Sequence, residues 1–101
     1  MRQIGKVSTV YILTSVSKRV LYTGVTSDII KRIWQHKNAH YPGSFTSRYG
    51  CCILVYYRHF ENILDAIAEE KRIKGGNRIA KEQLIESMNY GWKDLNAELD
   101  W

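Results

Sequence analysis

Apolar and polar residues alternate along this chain in two distinct rhythms. Thr9-Val10-Tyr11-Ile12-Leu13-Thr14 and Val20-Leu21-Tyr22-Thr23-Gly24-Val25 are β-branched and aromatic, which predicts two strands. Ser15-Val16-Ser17-Lys18 between them predicts a short turn, so the pair reads as a hairpin. The rhythm then becomes helical: Ile29, Ile30, Ile33 and Trp34 recur at i, i+3, i+4 from about Ile29 to Lys37, behind the capping side chains of Thr26-Ser27-Asp28. Residues 38–50 are rich in Ser, Tyr, Gly and Asn and predict a loop, and Cys52 to Tyr57 a third strand. A helix is expected from about Ile63 to Lys74, capped by Asn62 and stopped by Gly75-Gly76. Another follows from about Arg78 to Met88, then a turn at Asn89-Tyr90-Gly91-Trp92 and a packed or frayed tail over 94–101. The order ββαβαα is α+β with a small, mostly antiparallel sheet.

Composition narrows the class. The 101 residues fit one domain, 1–101, with a core at about 8–95. Leu, Ile, Val and Phe together number 26, enough to exclude compositional disorder. No apolar run approaches the ~18 residues of a membrane helix. Met1-Arg2-Gln3-Ile4-Gly5-Lys6 lacks the apolar stretch of a signal peptide, so the expected location is the cytoplasm, away from membranes. Cys51 and Cys52 are adjacent, which suits neither an unstrained disulfide nor a zinc knuckle; they read as structural thiols at a strand edge.

Charge is unevenly spread. Residues 1–50 carry eight Lys/Arg against one acid, Asp28, a net of +7; residues 51–101 carry seven Lys/Arg against nine Asp/Glu, a net of −2. A basic half points to an anionic partner, and seven Tyr and three Trp turn that expectation towards nucleic acid, whose bases stack on aromatic rings.

Three groups of residues stand out chemically. At about 100° per residue, Glu70 falls inside the helical arc spanned by Ile63, Ala66, Ile67 and Ile73, whereas Glu69 falls outside it. A carboxylate facing a core is costly unless it is paired or binds a cation; Arg32 or Lys74 are the candidate partners. Tyr11 and Tyr22 would stand directly opposite each other if the hairpin loop holds two or four residues, and on opposite faces if it is odd. They read either as a cross-strand aromatic pair or as hydroxyls aimed at phosphate or water. Arg32 and His36 lie four apart on one helix face, with chemistry suited to a phosphate and to proton transfer respectively, or as two solvated residues. His40 and His59 have no such companion and read as surface or packing residues.

Val10-Tyr11-Ile12, then ten residues later Tyr22-Thr23-Gly24, then Asp28 and Arg32-x-x-x-His36, resembles the GIY-YIG nuclease domain. Phe45-Thr46, Tyr49-Gly50, the Leu54-Val55-Tyr56-Tyr57 strand, Ala66-Ile67-Ala68-Glu69-Glu70-Lys71 and Leu84-Ile85-Glu86 are similar to the small, single-domain branch of that superfamily. The resemblance covers roughly residues 8–95. The chain departs from the pattern in three places: Tyr-Thr-Gly stands for Tyr-Ile-Gly, Gly75-Gly76 for a basic-aromatic stretch, and Asn89-Tyr90-Gly91-Trp92 for Asn-Pro-x-Trp.

The resemblance implies a three-stranded antiparallel sheet flanked by helices. It also implies divalent-metal-dependent hydrolysis of phosphodiester bonds. DNA is expected as substrate more than RNA, and with no long recognition helix in view the sequence preference should be slight. By position, Tyr11 and Tyr22 match the family's paired tyrosines, Arg32 its phosphate-binding arginine, Glu70 its metal ligand, and His36 a histidine seen in part of the superfamily. One carboxylate at the site suits a single Mg²⁺ or Mn²⁺ rather than a two-metal clamp. A homodimer or a partner protein is the expected source of any specificity. The alternative is a nucleic-acid-binding module on the same fold with weak or lost catalysis.

Overall fold

The computed structural model describes residues 7–38 and 43–99. The hairpin is formed by β1 (Ser8–Thr14) and β2 (Leu21–Thr26), followed by α1 (Ile29–Lys37). A short α2 (Phe45–Tyr49) precedes β3 (Ile53–Phe60), α3 (Ile63–Lys74) and α4 (Arg78–Met88); a 3₁₀ turn spans Leu95–Glu98. The three strands form one antiparallel sheet, as expected, and their order is β2-β1-β3.

β1 is the central strand, and every one of its residues is buried. Its alternation divides the core in two. Val10 and Ile12 pack with Val55, Tyr56, Ala66, Ile73 and Ile85 on the α3/α4 side. Tyr11 and Leu13 pack with Ile29, Ile33, Cys51, Leu54, Leu95 and Leu99 on the α1 side. A bulge in β3 shifts the pairing from Ile12↔Tyr56 to Leu13↔Leu54, leaving Val55 extra. The Asn89 side chain answers that irregularity: its Nδ2 donates to Val55 O at 3.2 Å and to Lys93 O at 2.7 Å, while its Oδ1 accepts from Lys93 N at 3.0 Å. Asn89 is therefore buried and occupied in tying the C-terminal turn to the sheet.

Helix caps fall where polar side chains predict them. Asp28 accepts from Lys31 N and Asn62 from Leu64 N. Two expectations need correction. Residues 45–49, expected as loop, form α2: Ser44 caps it through Ser47 N, and Gly50, in the left-handed region at φ 64°, ends it. The third strand begins at Ile53 and runs on to Phe60. Cys51 is buried beneath α1 and Cys52 half-buried, both as free thiols just ahead of that strand. The tail packs, with Leu95 and Leu99 buried in the core. His40 lies outside the described residues, as do the first six residues and the last two.

The hairpin loop and the rotation of α3 supply the other corrections. Thr14 pairs with Leu21, so the loop holds six residues, Ser15–Val20. An even loop keeps Tyr11 and Tyr22 on one face, but Tyr11 pairs with Gly24 and Tyr22 with Leu13, so the two rings meet diagonally rather than directly. On α3 the buried line runs through Ala66 and Ile73, while Ile63 is 43% exposed. Measured from that line, Glu69 and Glu70 lie at roughly equal angles on either side. Their side chains are equally sheltered, each 13% exposed, so Glu69 is not the outward-facing neighbour that the wheel predicts.

Candidate active site

The site forms where β1 and β2 meet α1 and α2. Tyr11 points from the central strand towards α1 and is fully buried. Its ring lies over Gly24: a Cβ at that position would come within 2.5 Å of the Tyr11 hydroxyl and 2.6 Å of Cζ. Gly24 is thus required by close approach of an aromatic ring, which explains a glycine in the interior of an otherwise β-branched strand.

Around that ring the aromatic side chains converge. Tyr11 and Tyr22 have centroids 6.3 Å apart, Tyr11 and His36 5.9 Å, and Tyr22 and His36 5.8 Å. The Tyr11 hydroxyl and His36 Nε2 are hydrogen-bond partners at 3.2 Å. On the other side of the imidazole, Nδ1 is 2.8 Å from Thr46 Oγ1. Phe45 adds its ring to Tyr22 at 5.9 Å and to Tyr49 at 4.8 Å. Tyr22, Arg32, His36, Ser44, Phe45 and Thr46 line a cavity of about 200 Å³.

The electrostatics follow from burial and from Arg32. Desolvation, with the neighbouring Tyr22, pushes the Tyr11 phenol up to about 12, while the Arg32 guanidinium opposes the shift through its charge and a hydrogen bond. The Glu70 carboxylate also acts on this phenol, in the raising direction. Burial, helped by Arg32, lowers the His36 pKa and so favours a neutral imidazole. No carboxylate forms an ion pair with Arg32 among the described residues, unlike Arg58, Arg72 and Arg78, each of which meets a glutamate.

Glu70 approaches from the opposite layer, on α3, which packs against β1 and β2. Lys74 Nζ holds its Oε2 at 2.6 Å, and Lys74 itself is 53% exposed. Glu69 faces the other way, towards Arg72 and Arg58. Tyr11, Tyr22, Arg32 and His36 are therefore brought together, and Glu70 stands behind them within electrostatic reach; neither Glu70 nor the fully buried Tyr11 lines the cavity. Among the described residues no three His, Cys, Asp or Glu side chains cluster for a metal. That donor set does not fit zinc, which takes three or four protein ligands. One carboxylate does fit Mg²⁺ or Mn²⁺, hard cations that keep several waters and share substrate phosphates.

Sequence reasoning gave Thr46, Ser44 and Gly24 no part in this site. The Tyr-x-Gly spacing carried a signal for Gly24, but its cause is visible only in the β1–β2 register. His59 lies elsewhere, at 2.7 Å from Thr9 Oγ1. A wider groove of about 310 Å³ between α3 and α4 has neither carboxylate nor imidazole in its lining. No helix among the described residues is long and apolar enough to cross a membrane.

Comparison with known proteins bears on the fold and the family. The chain is 36% identical over 91 residues to a UPF0213 protein of Clostridium perfringens (strain 13 / Type A), covering 90% of this chain and 96% of that one. It is 34% identical over 76 residues to a UPF0213 protein of Syntrophus aciditrophicus (strain SB), covering 75% and 86%. The solution NMR structure of a UPF0213 protein from Bacillus halodurans superposes with a TM-score of 0.57 at 28% identity, over 87% of this chain and 92% of that chain. Residues 7–83 match the model of the GIY-YIG catalytic domain. The chain belongs to the GIY-YIG domain family.

Proposed function

We propose that the protein is a divalent-metal-dependent endonuclease, a single cytoplasmic domain that hydrolyses phosphodiester bonds in nucleic acid, with DNA favoured over RNA and little sequence preference. The observation that carries this reading is the surroundings of the Tyr11 hydroxyl. A fully buried phenol is bonded to a neutral-leaning imidazole, touched by an arginine that meets no carboxylate among the described residues, and within reach of a sheltered glutamate. A purely structural tyrosine has no need of all three.

Each residue has a role its chemistry permits. Arg32 binds and neutralises the scissile phosphate. Tyr11 and Tyr22 are the hydroxyls placed to move a proton from the attacking water. Tyr11 rests as a neutral phenol, and positive charge gathered beside it draws its pKa down towards working range. His36 takes or returns the phenol proton. Glu70 would hold a single Mg²⁺ or Mn²⁺, exchanging its bond to Lys74 for the ion. When bound, such an ion supplies Lewis-acid stabilisation of charge on the phosphate oxygens.

The test is incubation of pure protein with supercoiled plasmid, with Mg²⁺, with Mn²⁺ and with chelator. Nicking is expected only with metal, and binding should weaken steeply as salt rises. Glu70→Ala should abolish nicking and keep binding, whereas Arg32→Ala should weaken both. Equal nicking by Glu70→Ala and wild type would sink the site assignment. Binding without cleavage in every metal would favour the binding-module alternative instead.

A further inference from the structure

We propose that Thr46 is a positioning residue: its hydroxyl accepts the Nδ1 proton of His36 and so fixes the imidazole with its Nε2 lone pair facing the Tyr11 hydroxyl. The inference concerns the tautomer and stands on hydrogen-bond geometry; only its consequence for cleavage rests on the nuclease reading.

The inventory of donors and acceptors decides the direction. The Tyr11 side chain is fully buried, so its O–H needs an acceptor. Arg32 has donors only and can serve the phenol oxygen but not its proton. The acceptor that the structure gives the O–H is His36 Nε2, at 3.2 Å. A neutral imidazole carries one proton, so if Nε2 accepts, Nδ1 donates. Thr46 Oγ1, at 2.8 Å, is its partner. The opposite tautomer would point Nε2–H and Arg32 at the same phenol oxygen and strand the buried O–H.

Thr46 is built to receive that proton. It is only 5% exposed, and β-branching restricts its rotamer. Its own O–H has a place to go, since Ser44 Oγ lies 3.3 Å away. Ser44 is in turn held as the α2 cap by Ser47 N at 3.2 Å. Cys51 N donates to Thr46 O at 2.9 Å and closes the segment from behind. One direction of donation then runs through the set: Tyr11 O–H to Nε2, Nδ1–H to Thr46, Thr46 O–H to Ser44. When the phenol ionises, its O–H bond breaks and an Nε2–H bond forms. The resulting imidazolium keeps Thr46 as its acceptor, and the phenolate keeps Arg32.

The experiment is ¹⁵N NMR of the histidine side chains in metal-free protein, with His36→Gln used to assign the His36 signals. Wild type should show His36 protonated at Nδ1 and bare at Nε2. Thr46→Val, which keeps the shape and removes the hydroxyl, should lose that preference, and Thr46→Ser should restore it. In plasmid nicking Thr46→Val should lose up to about 100-fold in kcat with KM little changed, as expected for a misaligned proton-transfer group, and Thr46→Ser should recover most of the loss. A wild-type His36 protonated at Nε2 overturns the proposal, and it does so even if Thr46→Val fails to fold. A preference unchanged in folded Thr46→Val overturns it as well. If wild type cleaves nothing, the nuclease reading fails while the NMR result still decides the tautomer.

Discussion

The two faces of β1 are equally buried and chemically opposite. On the α3/α4 side, Val10 and Ile12 meet a mostly aliphatic set in which Tyr56 is the one buried phenol, and neither Val10 nor Ile12 asks for a side-chain hydrogen bond. On the α1 side, Leu13 is conventional, but the next inward position is Tyr11, a phenol whose polar tip must be satisfied in the interior. Alternate residues of one strand thus separate two tasks. One face supplies apolar burial. The other holds a polar network in place, and the Tyr11, Tyr22, Arg32 and His36 part of the candidate site occupies that face, while Glu70 belongs to the α3 layer. Changes on the first should register as stability, and changes on the second as altered chemistry.

The largest effect on folding is expected from Ile12→Ala, which opens a cavity on the apolar face and should cost about 2–5 kcal/mol in urea unfolding. Nicking per folded molecule should persist. The contrast between the faces breaks if Tyr11→Phe costs as much. Next is Gly24→Ala, which drives a methyl into the Tyr11 ring and should cost about 1–3 kcal/mol as the ring moves. Combining it with Tyr11→Leu, whose shorter side chain vacates the space, should cost clearly less than the two single losses together. Additive losses in that cycle would show that the ring and the glycine do not meet.

A smaller effect separates the phenol from its ring. Tyr11→Phe deletes one buried hydroxyl and should change stability by about 0.5–1.5 kcal/mol near neutral pH. Its signature is at high pH. The folded-state pKa of Tyr11, about 12, exceeds the usual ~10 of a free phenol. The stabilisation is therefore fully present below pH ~10 and is lost as pH rises from there through about 12. Tyr11→Phe should show a shallower alkaline loss, and ultraviolet titration should miss the last phenol to ionise. The smallest effect is Glu70→Ala. Its lysine partner is more than half exposed, so metal-free stability should change by about 1 kcal/mol or less. A large loss would recast Glu70 as a structural ion-pair member.

What could be read beforehand follows the range of the forces involved. Strand and helix periods, the Asp28 and Asn62 caps and the Gly75-Gly76 stop are local, and they appear in the fold nearly where the residues put them. α2 escaped because five residues give too little length for a helical period. Glu69 was misjudged because the rotation of α3 is set by Ala66 and Ile73 against the sheet, not by the apolar residues of the helix alone. Tyr11, Tyr22, Arg32 and His36 were legible as a spaced motif, yet their mutual contacts depend on the hairpin register. Thr46 was invisible as a site residue because its meaning lies in a hydrogen bond to a helix ten residues earlier.

The six-residue hairpin loop acts as a ruler. Exposed loops ordinarily tolerate changes in length. Here Thr14 Oγ1 donates to Val20 O across the loop base, and Arg78 at the start of α4 donates to the Lys18 and Arg19 carbonyls at its tip. Added residues can balloon outwards and leave Gly24 under the Tyr11 ring. Removing residues has no such outlet. Loss of one turns β2 over, and loss of two slides a side chain beneath the phenol. Natural variation in this loop should accordingly be one-sided, with insertions admitted and deletions selected against.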